Sequence, residues 1–191
     1  MSRAALFKQA LWPVRWQALL PQALLALCCL LPAGPALAQA DERAVKAAFL
    51  YNFIQFAQWP VPPDEPFLLC VLGRTNLDEH LARLEGKNVQ NGVHVKVKHV
   101  ALRDSLQGCH ALYVDDSQRQ LAEELLPKLA GAPILTVTDS DGLAERGVII
   151  EIQKRDLKLG FEVNLVAARK ANIALSSRLL KMANYVAGGA R

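Results

Sequence analysis

Apolar and polar residues alternate along this chain with two distinct periods, and the switch between them marks out the elements. Val45, Phe49, Phe53 and Phe56 recur at helical spacing, and Leu50, Ile54 and Ala57 broaden the same face. That spacing predicts an amphipathic helix, capped by Asp41, running to about Gln58 and stopped by Trp59-Pro60. Pro62, Pro63 and Pro66 keep the following connection irregular. Phe67 to Leu72 is a continuous apolar run, the pattern of a strand buried on both faces, and Gly73 closes it. A short helix is expected from Asp78 to Leu84. Val93, Val95 and Val97 then alternate with His94, Lys96 and Lys98 after the Asn91-Gly92 turn, which predicts a half-buried strand.

The second half repeats the alternation. Ala111 to Val114 is a third strand, followed by Asp115-Asp116-Ser117 and a helix from Gln118 to Ala130. Ile134 to Thr138 is a fourth. Val148 to Ile152 and Leu157 to Val163 are expected to pair across Lys154-Arg155-Asp156. Asn164 caps a helix reaching Lys170, and Ser176 starts a last helical segment through Leu179, Leu180 and Ala183. Strands alternating with helices imply an α/β fold. The expected form is a three-layer α/β/α sandwich with a mostly parallel sheet and a C-terminal antiparallel hairpin.

Composition first suggests a basic protein: 191 residues, a formal charge of +4 and a pI near 9.0. Much of that excess lies at the start. Arg3, Lys8 and Arg15 precede an apolar stretch from Trp16 to Leu31, and Ala36-Leu37-Ala38 supplies small residues before Gln39. Basic, apolar and small-residue regions in this order read as a secretory signal peptide over residues 1–38. The stretch is broken by Gln17, Pro21 and Gln22, which disfavours a membrane anchor. Neither Cys28 nor Cys29 follows the small residue that a lipidated cysteine needs. The expected mature chain, 39–191, is one domain of 153 residues with 19 basic and 18 acidic side chains. A nearly neutral domain gives no footing for nucleic acid, and the leader marks it as an exported domain.

Cleavage leaves two cysteines, Cys70 and Cys109. In an oxidising compartment such a pair implies one disulfide, the alternative being two buried thiols. In a sheet of order 2-1-3-4 the first and third strands are neighbours, which brings Cys70 beside the entry to the strand that Cys109 begins.

Catalytic patterns are missing. Gly73 stands without a dinucleotide or phosphate-loop motif. Asp115-Asp116 loosely resembles the acidic site of a receiver domain, but a helix cap explains it more simply. Asp139-Ser140-Asp141-Gly142 opens like a calcium loop, yet its glycine comes at the fourth position rather than the sixth, so a turn is expected. His80, His94, His99 and His110 lack metal spacing. No catalytic residue, cofactor or metal ligand is assigned, and no enzyme is expected.

Three segments carry a resemblance. Val45-Lys46-Ala47-Ala48-Phe49-Leu50-Tyr51-Asn52-Phe53 with Trp59-Pro60 opens it. Ile134-Leu135-Thr136-Val137-Thr138-Asp139 with Gly142 and Gly147 continues it, and Phe161-Glu162-Val163-Asn164-Leu165, Ala167-Ala168-Arg169, Ser176-Ser177 and Leu179-Leu180 complete it. Together they resemble the YfiR-like periplasmic family. Some members carry a second cysteine pair, whereas residues 139 to 163 here contain none.

The resemblance implies a repressor that binds the periplasmic sensor region of an inner-membrane diguanylate cyclase, YfiN, lowering cyclic di-GMP and biofilm formation. It also implies an OmpA-like outer-membrane lipoprotein, YfiB, as sequestering partner, and a homodimer. A small-molecule binding module feeding a sensor kinase or transport system is the alternative. Residues expected at a dimer or partner surface are Tyr51 and Trp59 on the outer edge of the aromatic stripe, with Asp139 and Asp141 in the loop to Gly147.

Overall fold

The computed structural model describes residues 35–63, 66–89 and 92–189. The chain divides into two compact units after Ala38, and the unit Gln39–Arg191 holds the sheet. The expected signal peptide lies almost wholly outside the described residues.

Helix α1 spans Pro35–Phe56. Asp41 lies inside it rather than capping it. Pro35 sits in the first turn, where a missing N–H costs nothing, and no glycine or further proline interrupts the chain until Pro60. Ala47, Leu50, Phe53 and Ile54 form its buried stripe, while Phe49 and Phe56 pack partly buried beside it. The helix stops at Phe56. Ala57–Gln58 forms strand β1, antiparallel to β8, Ala174–Leu175, and the Ser176 N–H donates to the Phe56 carbonyl at 2.9 Å.

The main sheet contains β2 (Phe67–Leu72), β3 (Val95–Val100), β4 (Cys109–Val114), β5 (Leu135–Thr138), β6 (Ile150–Arg155), β7 (Lys158–Asn164) and β9 (Tyr185–Ala187). Its order is β3-β2-β4-β5-β6-β7-β9. Strands β3 through β6 are parallel, β7 turns back on β6, and β9 runs parallel to β7. The mostly parallel α/β sheet with its late hairpin is therefore present, and the first four strands follow the expected 2-1-3-4 order.

Alternate residues of the central strands feed two cores. Leu69, Val71, Tyr113, Leu135 and Val137 join the core under α1, α2 (Asp78–Ala82), α4 (Leu165–Lys170) and α5 (Ser177–Met182). Cys70, Leu72, Leu112 and Val114 join the other, under α3 (Arg119–Leu125) and Leu143 and Val148 of the loop before β6. The long helix expected to Ala130 is shorter than that. A 3-10 turn at Asp116–Gln118 precedes α3, and another at Leu126–Leu129 follows it, because Pro127 offers no N–H to continue an α-helix.

The disulfide joins Cys70 to Cys109 across adjacent strands, with Cα atoms 5.8 Å apart and a separation of 39 positions along the chain. The hairpin is tighter than the sequence suggests: Lys154 and Arg155 belong to β6, and Asp156 and Leu157 alone make the turn, both with positive φ. Strand β3 forms one edge. Lys96 and Lys98 are exposed along it, and the Glu85 carboxylate accepts the Val97 N–H at 2.8 Å, which blunts that edge against further pairing.

Candidate functional site

In open α/β sheets ligands favour the carboxyl edge where the strand order reverses. Here that point lies between β2 and β4, and the protein's own side chains fill it. Thr75, just past β2, donates its hydroxyl to the Asp115 carboxylate. The other oxygen of Asp115 accepts the Ser117 N–H at 3.0 Å and the Ser117 hydroxyl at 2.7 Å, so Asp115 is the cap its sequence context predicts. Gly73 has φ +67, and a Cβ there would come within 2.8 Å of Gln118 Oε1, so the Gln118 side chain lies directly over this backbone.

The polar cluster extends across the same edge. The Asp139 side chain, only 5% exposed, accepts from Lys46 Nζ at 2.8 Å and from the Asp116 N–H at 2.9 Å. Lys46 also meets Glu42 one turn earlier at 3.3 Å, and Glu42 accepts from Lys154 Nζ at 2.6 Å. Helix α1 is thus tied to the loop after β5 and to β6 by one chain of ions. Hydrogen bonding to Lys154 leads the effects that hold the Glu42 carboxyl below its ordinary value, against the opposing effect of burial. Burial opposes the charge on Lys46, but the hydrogen bond and charge of Asp139, with Glu42, outweigh it and raise the ammonium's pKa. Tyr113 is fully buried. Burial first, and then the Asp139 and Asp115 carboxylates, hold its phenol protonated far above the usual range.

Glu151 anchors the adjoining loop. It is 1% exposed, and its two oxygens accept the N–H groups of Gly142 at 3.0 Å and Ala144 at 2.8 Å, with Gln153 Nε2 a third donor at 2.8 Å. Arg119 closes the loop from the other side, donating to Ser140 Oγ at 2.8 Å and the Asp141 carbonyl at 2.6 Å. The Asp139-to-Gly142 segment is the turn expected, with Gly142 at φ +80.

The four residues expected at a surface are dispersed. Tyr51 donates its hydroxyl to the Asn88 carbonyl at 2.6 Å, with Lys87 Nζ 5.3 Å from its ring centre. Trp59 packs edge-on against Phe67 and donates Nε1 to the His110 carbonyl at 2.9 Å. Asp139 belongs to the ion cluster. Asp141 has an exposed side chain. Glu151, Lys46 and Tyr113 escaped the sequence reading, since a lone polar residue in an apolar run carries no motif. His110 escaped it as well: its Nδ1 accepts the Leu68 N–H at 3.0 Å, and its ring stacks on Phe67.

Chemically, the edge is a set of satisfied ion pairs and caps whose carboxylate oxygens already face donors. Among the described residues no three His, Cys, Asp or Glu side chains are placed to hold a metal ion. No helix among them is long and apolar enough to cross a membrane.

Comparison with known proteins agrees with this architecture. A conserved domain protein of Vibrio cholerae O1 biovar El Tor, known from a crystal structure, superposes with a TM-score of 0.54 at 9% identity. The match covers 75% of this chain and 60% of that one, and at this identity it speaks for the fold alone. Residues 43–184 match the YfiR/HmsC-like family model, a span that runs from α1 through the helix leading to β9. On a match covering nearly the whole sheet unit, the chain belongs to the YfiR/HmsC-like family.

Proposed function

We propose that this protein is a periplasmic regulator that binds the periplasmic sensor region of an inner-membrane diguanylate cyclase and represses it, lowering cyclic di-GMP and biofilm formation. Membership in the YfiR/HmsC-like family implies regulation of diguanylate cyclase signalling from the periplasm, and the match over residues 43–184 is the observation that carries the reading. The site chemistry is in keeping with it. The edge where an α/β enzyme would hold its substrate is packed with Thr75, Asp115 and Gln118, so the molecule is read as a binding protein without catalysis or cofactor.

The same reading takes residues 1–38 as a cleaved signal peptide and 39–191 as the working domain, with a YfiN-like cyclase as target. A YfiB-like outer-membrane lipoprotein is the sequestering partner, and the chain acts as a homodimer. Of the four expected surface residues, Asp141 offers an exposed carboxylate and Tyr51 a partly buried ring edge. Trp59 and Asp139 would act by shaping that surface from behind. Deleting the gene tests the proposal: cyclic di-GMP should rise, and crosslinking in intact cells should recover a membrane cyclase. An unchanged cyclic di-GMP level would refute the repressor role.

A further inference from the structure

Charge is unevenly divided along the chain. From Asn164 to Arg191 there are five basic side chains and no acidic one, whereas residues 39–163 hold 14 basic and 18 acidic ones. Lys46, Arg119, Arg146, Lys154 and Arg155 each meet a carboxylate. Arg169, Lys170, Arg178 and Lys181 form no ion pair among the described residues, although Glu145 borders the same cleft as Lys170.

The two last helices present these cations in one repeated pattern. Helix α4 buries Ala168 and packs Leu165 against the core, which leaves Val166, Arg169 and Lys170 exposed at i, i+3 and i+4. Helix α5 buries Leu179, which leaves Arg178, Lys181 and Met182 exposed at the same spacing. Both helices lie over the same core, so both outer faces look away from the same side of the sheet. Strand β9 adjoins them. A Cβ at Gly188 would come within 2.6 Å of Val166 Cγ2, and Tyr185 at the start of β9 is 59% exposed. Val166 and Met182 are 45% and 50% exposed. Apolar side chains thus stand in water among unpaired cations.

We propose that this face docks on an anionic phospholipid surface, its four basic groups against the headgroups and Met182 and Tyr185 entering the interface. An acidic protein surface would also answer the charge. The interleaving of exposed apolar and basic residues over successive helices favours lipid, which is held by summed charge and apolar area without a matching pocket. This inference does not rest on the cyclase reading.

Flotation of the protein with vesicles of phosphatidylglycerol and phosphatidylcholine in equal parts, and with phosphatidylcholine alone, provides the test. Binding is expected only to the anionic vesicles and should weaken as salt is raised. Arg178→Gln with Lys181→Gln should weaken it about 25-fold, roughly fivefold for each charge. Met182→Ser, another exposed change, should weaken it further. Lys96→Gln with Lys98→Gln removes the same charge from β3 at the opposite edge of the sheet and should change binding less than about twofold. No binding to anionic vesicles, equal binding to phosphatidylcholine alone, or equal loss from the two double variants would overturn the proposal. Capture of polyglutamate through Arg178 and Lys181 with the vesicles left unbound would also overturn it, and would assign the face to an acidic protein.

Discussion

A few single residues hold positions that their neighbours make expensive to change. Glu151 is a nearly fully buried carboxylate whose oxygens serve two loop N–H groups and Gln153. Glu151→Ala strands those donors, a loss of about 2–4 kcal/mol for a buried charged hydrogen-bond set. The loop from Asp139 to Gly147 should then open, and trypsin should cut after Arg146 faster than in the parent protein. Leu157 presents the opposite case. It is 90% exposed and has φ +64 at the second position of a two-residue hairpin turn, where glycine is favoured. Leu157→Gly should stabilise the protein by roughly 1 kcal/mol, seen as a higher urea midpoint with an unchanged slope.

Between elements, a covalent tie and an ionic one do the joining. The Cys70–Cys109 bond links β2 to β4 inside the core under α3. In the chain-entropy account, closing a loop of this length is worth roughly 4 kcal/mol. Cys70→Ser or Cys109→Ser, or a reductant strong enough to reach the bond, should lower the melting temperature. Equal melting with and without the bond would refute its stabilising role.

The ion chain Lys154–Glu42–Lys46–Asp139 joins α1 to β6 and the loop after β5. Glu42 titrates below its ordinary value of 4.5 in the folded state, so its contribution is present above that value and fades as pH falls through the folded one. Lys46 is raised above 10.5, so its contribution is complete below that value and lost only as pH climbs past the folded one. Stability should therefore decline as pH falls below about 4.5, and Glu42→Gln should flatten that decline in urea midpoints measured above and below that value.

Across the whole molecule, stability should be graded from the centre of the sheet outward. Strands β2, β4 and β5 are buried on both faces and the disulfide joins the first two, whereas β3 and β9 are edges and β9 has three residues. Amide exchange should be slowest in β2, β4 and β5 and fastest in β9, with β3 intermediate. Exchange in β9 as slow as in β4 would mean that the edge is covered.

Much of this plan is legible in the residues because burial imposes local patterns. The run Phe67 to Leu72 had to be a doubly covered strand, and the two sides of that strand became the two cores. Asn164 and Ser176 announce helix starts because their side chains satisfy N–H groups within three residues, Ala167 at 2.9 Å and Leu179 at 3.2 Å. Two cysteines expected in neighbouring strands implied their own pairing, and Cys70 and Cys109 are joined. Other features have causes far away in the chain. Strand β1 is two residues long and exists because Ala174–Leu175 lies beside it, and β9 exists because β7 leaves an edge to cover. Lys46 meets Asp139 across 93 positions, and Trp59 meets His110 across 51. Strands β5 and β6 pair over only two residues. Periodicity determines which faces are apolar, since that depends only on neighbouring residues. Which polar groups meet, and where the packing leaves room, is decided only when the layers close.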